Sequence, residues 1–286
     1  MTTISLTTPD GEMPTYVAEP DFAPQGAIVV VQEAFGLTDH ILAIADRLAM
    51  AGYVAIAPAL FHRDGAPVFA YDDFASVIPV ISSVTQANLD ADLAATIAEL
   101  ERRGFNRAQR GIVGFCMGGA IALYADTCDL VGAAVTFYGG GVTTGRFGLA
   151  PLVELAPNLR APWLGLYGDL DQSIPVDQVE ALRMAAAQAQ APTSIVRYEN
   201  AGHGFNCDAR PDFVADAAAD AWARAGRRQA EPRSHCGLRA ALRRKRHRHR
   251  TMSRRAAPVH IAARRRWPGR ACCRPISSWT DRKSVV

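Results

Sequence analysis

Six residues, Gly114-Phe115-Cys116-Met117-Gly118-Gly119, stand between an apolar run ending at Phe115 and a helical stretch over Met117 to Ala125. A thiol on a sharp strand-to-helix turn is raised above the sheet. Its neighbours two before and two after must be small, and here they are Gly114 and Gly118. The turn also opens a helix, whose free N–H groups and partial positive charge favour a thiolate and an oxyanion. Cys116 is therefore a candidate nucleophile. A nucleophile needs a base, and the base needs an orienting acid. His203, in Asn200-Ala201-Gly202-His203-Gly204-Phe205, follows the last strand in a glycine-flanked loop, whereas His40 and His62 precede Cys116 and fit poorly. The acid comes from Gly168-Asp169-Leu170-Asp171-Gln172-Ser173-Ile174-Pro175. Asp171 is preferred because an apolar-Pro step into the next helix follows it, and Asp169 is the alternative.

The elements that must position these groups alternate. AIVVV at Ala27 to Val31 reads as a strand, followed by a loop and an amphipathic helix to Ala51. Strands follow at Tyr53 to Ala57, Gly111 to Phe115, Gly132 to Phe137, Pro162 to Tyr167 and Thr193 to Tyr198. Helices are expected over Gln86 to Arg103, Met117 to Ala125, Val176 to Gln188 and Pro211 to Arg224. This alternation predicts an α/β domain with a mainly parallel, twisted sheet and helices on both faces. With the nucleophile turn it reads as the α/β-hydrolase fold. Ile4 to Thr7 and Tyr16 to Ala18 form a candidate edge hairpin around Asp10-Gly11. Phe61 to Thr85 shows no clear period and is long enough to cap a pocket.

Charge divides the chain. Up to Ala225 there are 12 Arg, no Lys and 26 acids, a net −14; from Gly226 onward 19 basic residues face 2 acids, a net +17, and the two sum to the chain's +3. An acidic body lacks the basic surface that phosphate contacts require, so no nucleic-acid partner is expected for it. The chain accordingly reads as one catalytic domain over 1–224 and a basic segment over 225–286, either disordered or an out-of-frame product. A basic arm for nucleic acid is the rival reading of that segment. The cysteines at 116, 128, 207, 236, 272 and 273 lack the C-x-x-C pairing of a zinc or redox motif. No metal and no cofactor are expected. No apolar run is long enough to cross a membrane and no secretory signal opens the chain, so a cytoplasmic enzyme with reduced thiols is the expectation, as a monomer or homodimer.

Residues 1 to 224 resemble the dienelactone hydrolase (carboxymethylenebutenolidase) family. The resemblance rests on Gln32-Glu33-Ala34-Phe35-Gly36, Gly52-Tyr53 with Ala57-Pro58, the Cys116 turn, Phe137-Tyr138-Gly139, the Gly168 to Pro175 loop and Gly202-His203-Gly204-Phe205. It implies a Cys116, Asp171, His203 triad that cleaves an enol-lactone or ester through a thioester acyl-enzyme. It also implies that Glu33 partners the thiol in the resting enzyme, and that the N–H groups of Met117 and Ala34 hold the oxyanion. One departure concerns the substrate. The family members that open chlorocatechol-pathway lactones hold a substrate carboxylate with arginines, one shortly after the triad histidine. Here Asn206-Cys207-Asp208 occupies that stretch, and no arginine lies between Asp64 and Glu101. Either Arg210 replaces the clamp or the substrate is a different lactone or ester. The rival from another class is a non-catalytic protein of this fold that binds a ligand or senses oxidation through Cys116.

Overall fold

The structure, a computed structural model, describes residues 1–230, with side chains described through residue 226. The basic segment expected from residue 225 onward lies mostly outside the described residues. In chain order the elements are β1 (Thr2–Thr8), β2 (Gly11–Ala18), β3 (Gly26–Val31), α1 (Asp39–Met50), β4 (Tyr53–Pro58), α2 (Phe74–Ser83), α3 (Gln86–Arg102), β5 (Arg110–Phe115), α4 (Met117–Thr127), β6 (Ala133–Phe137), α5 (Leu152–Leu155), β7 (Trp163–Gly168), α6 (Val176–Ala186), β8 (Thr193–Tyr198) and α7 (Ala215–Ala230).

The eight strands form one sheet in the order β1-β2-β4-β3-β5-β6-β7-β8. Strands β4 to β8 and β3 pair in parallel, while β2 is antiparallel to both β1 and β4. After the β1–β2 hairpin at one edge, the parallel part of the chain starts in the middle with β3, steps to β4 beside β2, then reverses to β5, β6, β7 and β8. That reversal is the switch point at which α/β sheets bind ligands, beyond the carboxyl ends of the strands. Every residue of β3 and of β5 is buried, as strands covered on both faces require.

Helix α1 buries Ile41, Ile44, Ala45, Leu48 and Ala49, one stripe of 3.6-residue period. It shares a face of the sheet with α7, where the Arg47 guanidinium lies 4.1 Å from the centre of the Trp222 ring. On the other face α3 and α4 are tied by Tyr124, whose hydroxyl donates to Asp90 at 2.5 Å. Two expectations need correction. The aperiodic stretch before Thr85 contains α2, whose residues are mostly exposed apart from Val77, so no apolar stripe marks it. The last helix begins at Ala215 rather than Pro211, because the preceding turn bonds back on itself: Phe213 N–H donates to Arg210 and Val214 N–H donates to Phe205.

Candidate active site

The turn from β5 into α4 holds Cys116 at φ 53°, ψ −114°, a conformation that side-chain-bearing residues rarely adopt. Packing over-determines it. A Cβ on Gly114 would stand 1.9 Å from the Gly118 carbonyl oxygen, and one on Gly118 would stand 2.4 Å from the Val31 oxygen. These contacts let α4 start directly against β3 and β5. The Cys116 side chain is half-buried at the end of the sheet, next to the loop that follows β3.

His203 and Asp171 arrive from the loops after β8 and β7. His203 Nε2 lies 3.1 Å from Cys116 Sγ, and Nδ1 donates to Asp171 Oδ2 at 2.6 Å. The other carboxylate oxygen of Asp171 accepts from the Ser173 hydroxyl at 2.6 Å and from the backbone N–H groups of Ser173 and Ile174 at 2.8 and 3.2 Å. Ser173 Oγ is also 3.3 Å from His203 Nδ1. It is a positioning residue that sequence reading missed. Its only signal was a hydroxyl two residues after the acid, where a side chain can close a local turn. Asp169 turns the other way and takes a two-pronged pair from Arg197 on β8, at 2.7 and 2.8 Å. The structure thus brings Cys116, His203 and Asp171 together and leaves Asp169 outside.

Glu33 lies in the loop after β3 and is fully buried. Its Oε1 accepts from the Tyr138 hydroxyl at 3.4 Å and lies 3.9 Å from the Arg210 guanidinium, while Oε2 has no hydrogen-bond partner among the described residues. Burial raises its pKa, with Arg210, His203 and Tyr138 opposing the shift. Glu33 therefore accepts its hydrogen bond from Tyr138 and pairs with Arg210 across 3.9 Å, while the thiol's contact is with His203. Tyr138 is itself held at φ 37°, with its ring 5.1 Å from the imidazole. Ala34 follows in the same loop, and Met117 opens α4, where backbone N–H groups have no intrahelical acceptor.

The charges in this chain of groups depend on one another. Burial disfavours charge on His203, but the Cys116 sulfur and the Asp171 carboxylate outweigh it and raise the imidazole to about 10 from its ordinary 6.5. Burial also opposes ionisation of Asp171, and hydrogen bonding to His203 and Ser173 reverses this to leave its pKa lowered. A folded-state pKa above the unfolded one adds stability that is complete below the unfolded value and is lost as pH rises through the folded value. Unfolding free energy, measured by urea titration, should therefore fall as pH rises from about 6.5 to about 10. The slope should flatten in Cys116→Ser, whose hydroxyl supplies no negative charge to the imidazole. An unaltered slope in that variant would separate the imidazole from the sulfur.

The sheet order, the strained turn at its switch point and the cysteine, histidine and acid gathered there define an α/β-hydrolase. Residues 13–227 match the sequence pattern of the Dienelactone hydrolase family, so the chain belongs to that family, whose members are lactone- and ester-cleaving hydrolases. A candidate carboxymethylenebutenolidase of Escherichia coli O157:H7 is 41% identical over 230 residues, 77% of this chain and 83% of that one. Carboxymethylenebutenolidase of Pseudomonas putida is 29% identical over 222 residues, covering 76% and 90%. The crystal structure of a candidate dienelactone hydrolase from Klebsiella pneumoniae superposes with a TM-score of 0.72 at 36% identity, covering 80% of this chain and 98% of that chain.

Proposed function

We propose that the enzyme cleaves an enol-lactone or carboxylic ester through a thioester on Cys116. The observation that carries the reading is the unbroken line from Cys116 Sγ through His203 to Asp171 at the end of the strained turn. The thiolate adds to the substrate carbonyl carbon, and the resulting oxyanion is held by the N–H groups of Met117 and Ala34. Collapse breaks the acyl C–O bond, and the imidazolium of His203 gives its proton to the leaving oxygen, which in a lactone stays tethered to the acyl chain. His203, now neutral, takes a proton from water as that water adds to the thioester. The second collapse breaks the C–S bond, returning the thiolate and releasing the acid. Asp171 keeps Nδ1 protonated throughout, so that Nε2 faces the sulfur and the water. Glu33, whose pKa burial raises, is our candidate for the thiol's partner in the resting enzyme. Because the thiol must stay reduced, the chemistry suits a reducing compartment, and we place the enzyme in the cytoplasm; no disulfide joins the described cysteines.

Substrate orientation falls to Arg210. Its guanidinium faces Glu33 and lies 5.8 Å from the ring centres of Phe35 and Tyr71, so it borders the site from the loop after His203. It is our candidate for the group that receives a substrate carboxylate. Arg210→Gln should raise KM for an anionic dienelactone roughly tenfold while changing that for a neutral nitrophenyl ester less than about twofold, as the loss of a single charge-assisted contact predicts. Equal effects on both substrates would remove Arg210 from this role. The mechanism itself is tested by rapid mixing with a slow ester and intact-mass measurement, which should find one acyl group, and peptide mapping should place it on Cys116. A protein that only binds ligands or senses oxidation through Cys116 forms no such adduct.

A further inference from the structure

Outside the triad, a second set of chemically capable side chains converges where the loop after β8 meets the start of α1. One ligand atom each from His40, Cys207 and Asp208 lies within 4.8 Å of the other two. His40 Nδ1 and Asp208 Oδ1 are already 3.5 Å apart. We propose that these three residues bind a borderline-soft divalent cation of the zinc class, a site separate from the catalytic Cys116, His203 and Asp171.

Four observations carry this. First, the donor set is one thiol, one imidazole and one carboxylate, which selects zinc-like ions over magnesium or calcium, since those take oxygen ligands almost exclusively. Second, metal–ligand bonds of about 2.0–2.3 Å in tetrahedral array separate donor atoms by roughly 3.3–3.7 Å. The His40–Asp208 pair has that spacing, the pairs with Cys207 lie within 4.8 Å and must close by about 1 Å, and Asp208, whose side chain is 77% exposed, has room to follow. Third, the His40 side chain is only 8% exposed, and its Nε2 has no hydrogen-bond partner among the described residues. Nδ1 is the ring atom turned toward Asp208 and so the one available as a ligand, while Nε2 is without a partner whether or not a cation binds. Fourth, the sulfur has support in place. Cys207 Sγ now donates to the Tyr71 hydroxyl at 3.4 Å, and that hydroxyl is 3.1 Å from Thr38 Oγ1. When the S–metal bond forms, the thiol proton passes to solvent, and the Tyr71 O–H reverses its role to donate to the thiolate. The positive Arg210 nearby is partly answered by Glu33 at 3.9 Å and Asp212 at 3.6 Å. Three protein donors leave a fourth position for water or an anionic ligand, and binding would pin the turn that carries Arg210.

Cobalt(II) added to the full-length protein under anaerobic conditions reports thiolate ligation through its charge-transfer absorption. The chain carries three further cysteines and four further histidines beyond residue 230, and Cys116 is itself a thiol beside an imidazole, so the readout is a difference between variants. Cys116→Ala should keep the strongest-binding absorption and Cys207→Ser should lose it. Asp208→Ala, an exposed change with little effect on folding, should weaken that binding by at least about tenfold, and zinc should displace the cobalt. The proposal fails if the wild-type and Asp208→Ala isotherms coincide, or if the absorption disappears in Cys116→Ala and survives in Cys207→Ser. Should Cys207→Ser not fold, the Asp208→Ala comparison alone decides.

Discussion

Replacing Cys116 by alanine should lower kcat/KM for a nitrophenyl ester or a dienelactone by at least about 10⁴-fold, the scale on which loss of a triad nucleophile acts, and should leave the unfolding transition cooperative. The size follows from what remains. Without the sulfur, the N–H groups of Met117 and Ala34 still polarise a bound carbonyl, and His203 can still direct a water, but no thioester forms and the reaction must pass in one step. Folding should survive because alanine is smaller than cysteine, and Cys116 already occupies a left-handed backbone conformation that alanine adopts at the same steric cost. Cys116→Ser is the weaker test, since a hydroxyl held at the same turn can retain slow chemistry. Turnover of Cys116→Ala within about tenfold of wild type would remove Cys116 as the nucleophile. A wild-type protein that neither turns over nor acquires an acyl group would favour the ligand-binding or thiol-sensing reading instead.

How far this site could be seen in the sequence depends on how local each constraint is. The strained turn was legible because steric limits at Cys116 fall on residues two positions away, and Gly114 and Gly118 meet backbone atoms at distances only glycine tolerates. The parallel core was legible for a similar reason: strands buried on both faces, such as β3 and β5, are continuous apolar runs. The partners of Glu33 were not legible, since Tyr138 and Arg210 reach it from the residue after β6 and from the loop before α7. The same holds for the meeting of His40 with Cys207 and Asp208, which spacing along the chain conceals. Helix α2 escaped notice because a mostly exposed helix with Pro79 inside it presents no apolar period. Pro211, a residue favoured in first helical turns, marks a helix start four residues before the true one because it sits in a turn closed by the Phe205 and Arg210 carbonyls.

The two acids of the loop after β7 offer the sharpest contrast. Asp171→Asn should reduce kcat/KM by roughly 10³- to 10⁴-fold, and Asp169→Asn should change it by less than about twofold. Asn keeps an oxygen for the N–H groups of Ser173 and Ile174, so the loop can hold its shape. What it offers His203 is an amide N–H where a carboxylate oxygen stood, 2.6 Å from Nδ1. Two donors cannot face each other there. The imidazole must then carry its single proton on Nε2, pointing at the sulfur, and it can no longer draw a proton from the thiol or from water. The loss should also shift the pH profile, because the carboxylate helps to keep His203 charged. Asp169 has no such role in the geometry. Its carboxylate is spent on Arg197, which also pairs with Glu180 at 2.9 Å, and neutralising it costs about 1 kcal/mol of stability or less at this partly exposed position. Measuring kcat/KM against pH for both variants separates the cases. A loss shared equally by the two would mean that the loop acts only as a scaffold, and a loss confined to Asp169→Asn would exchange their roles.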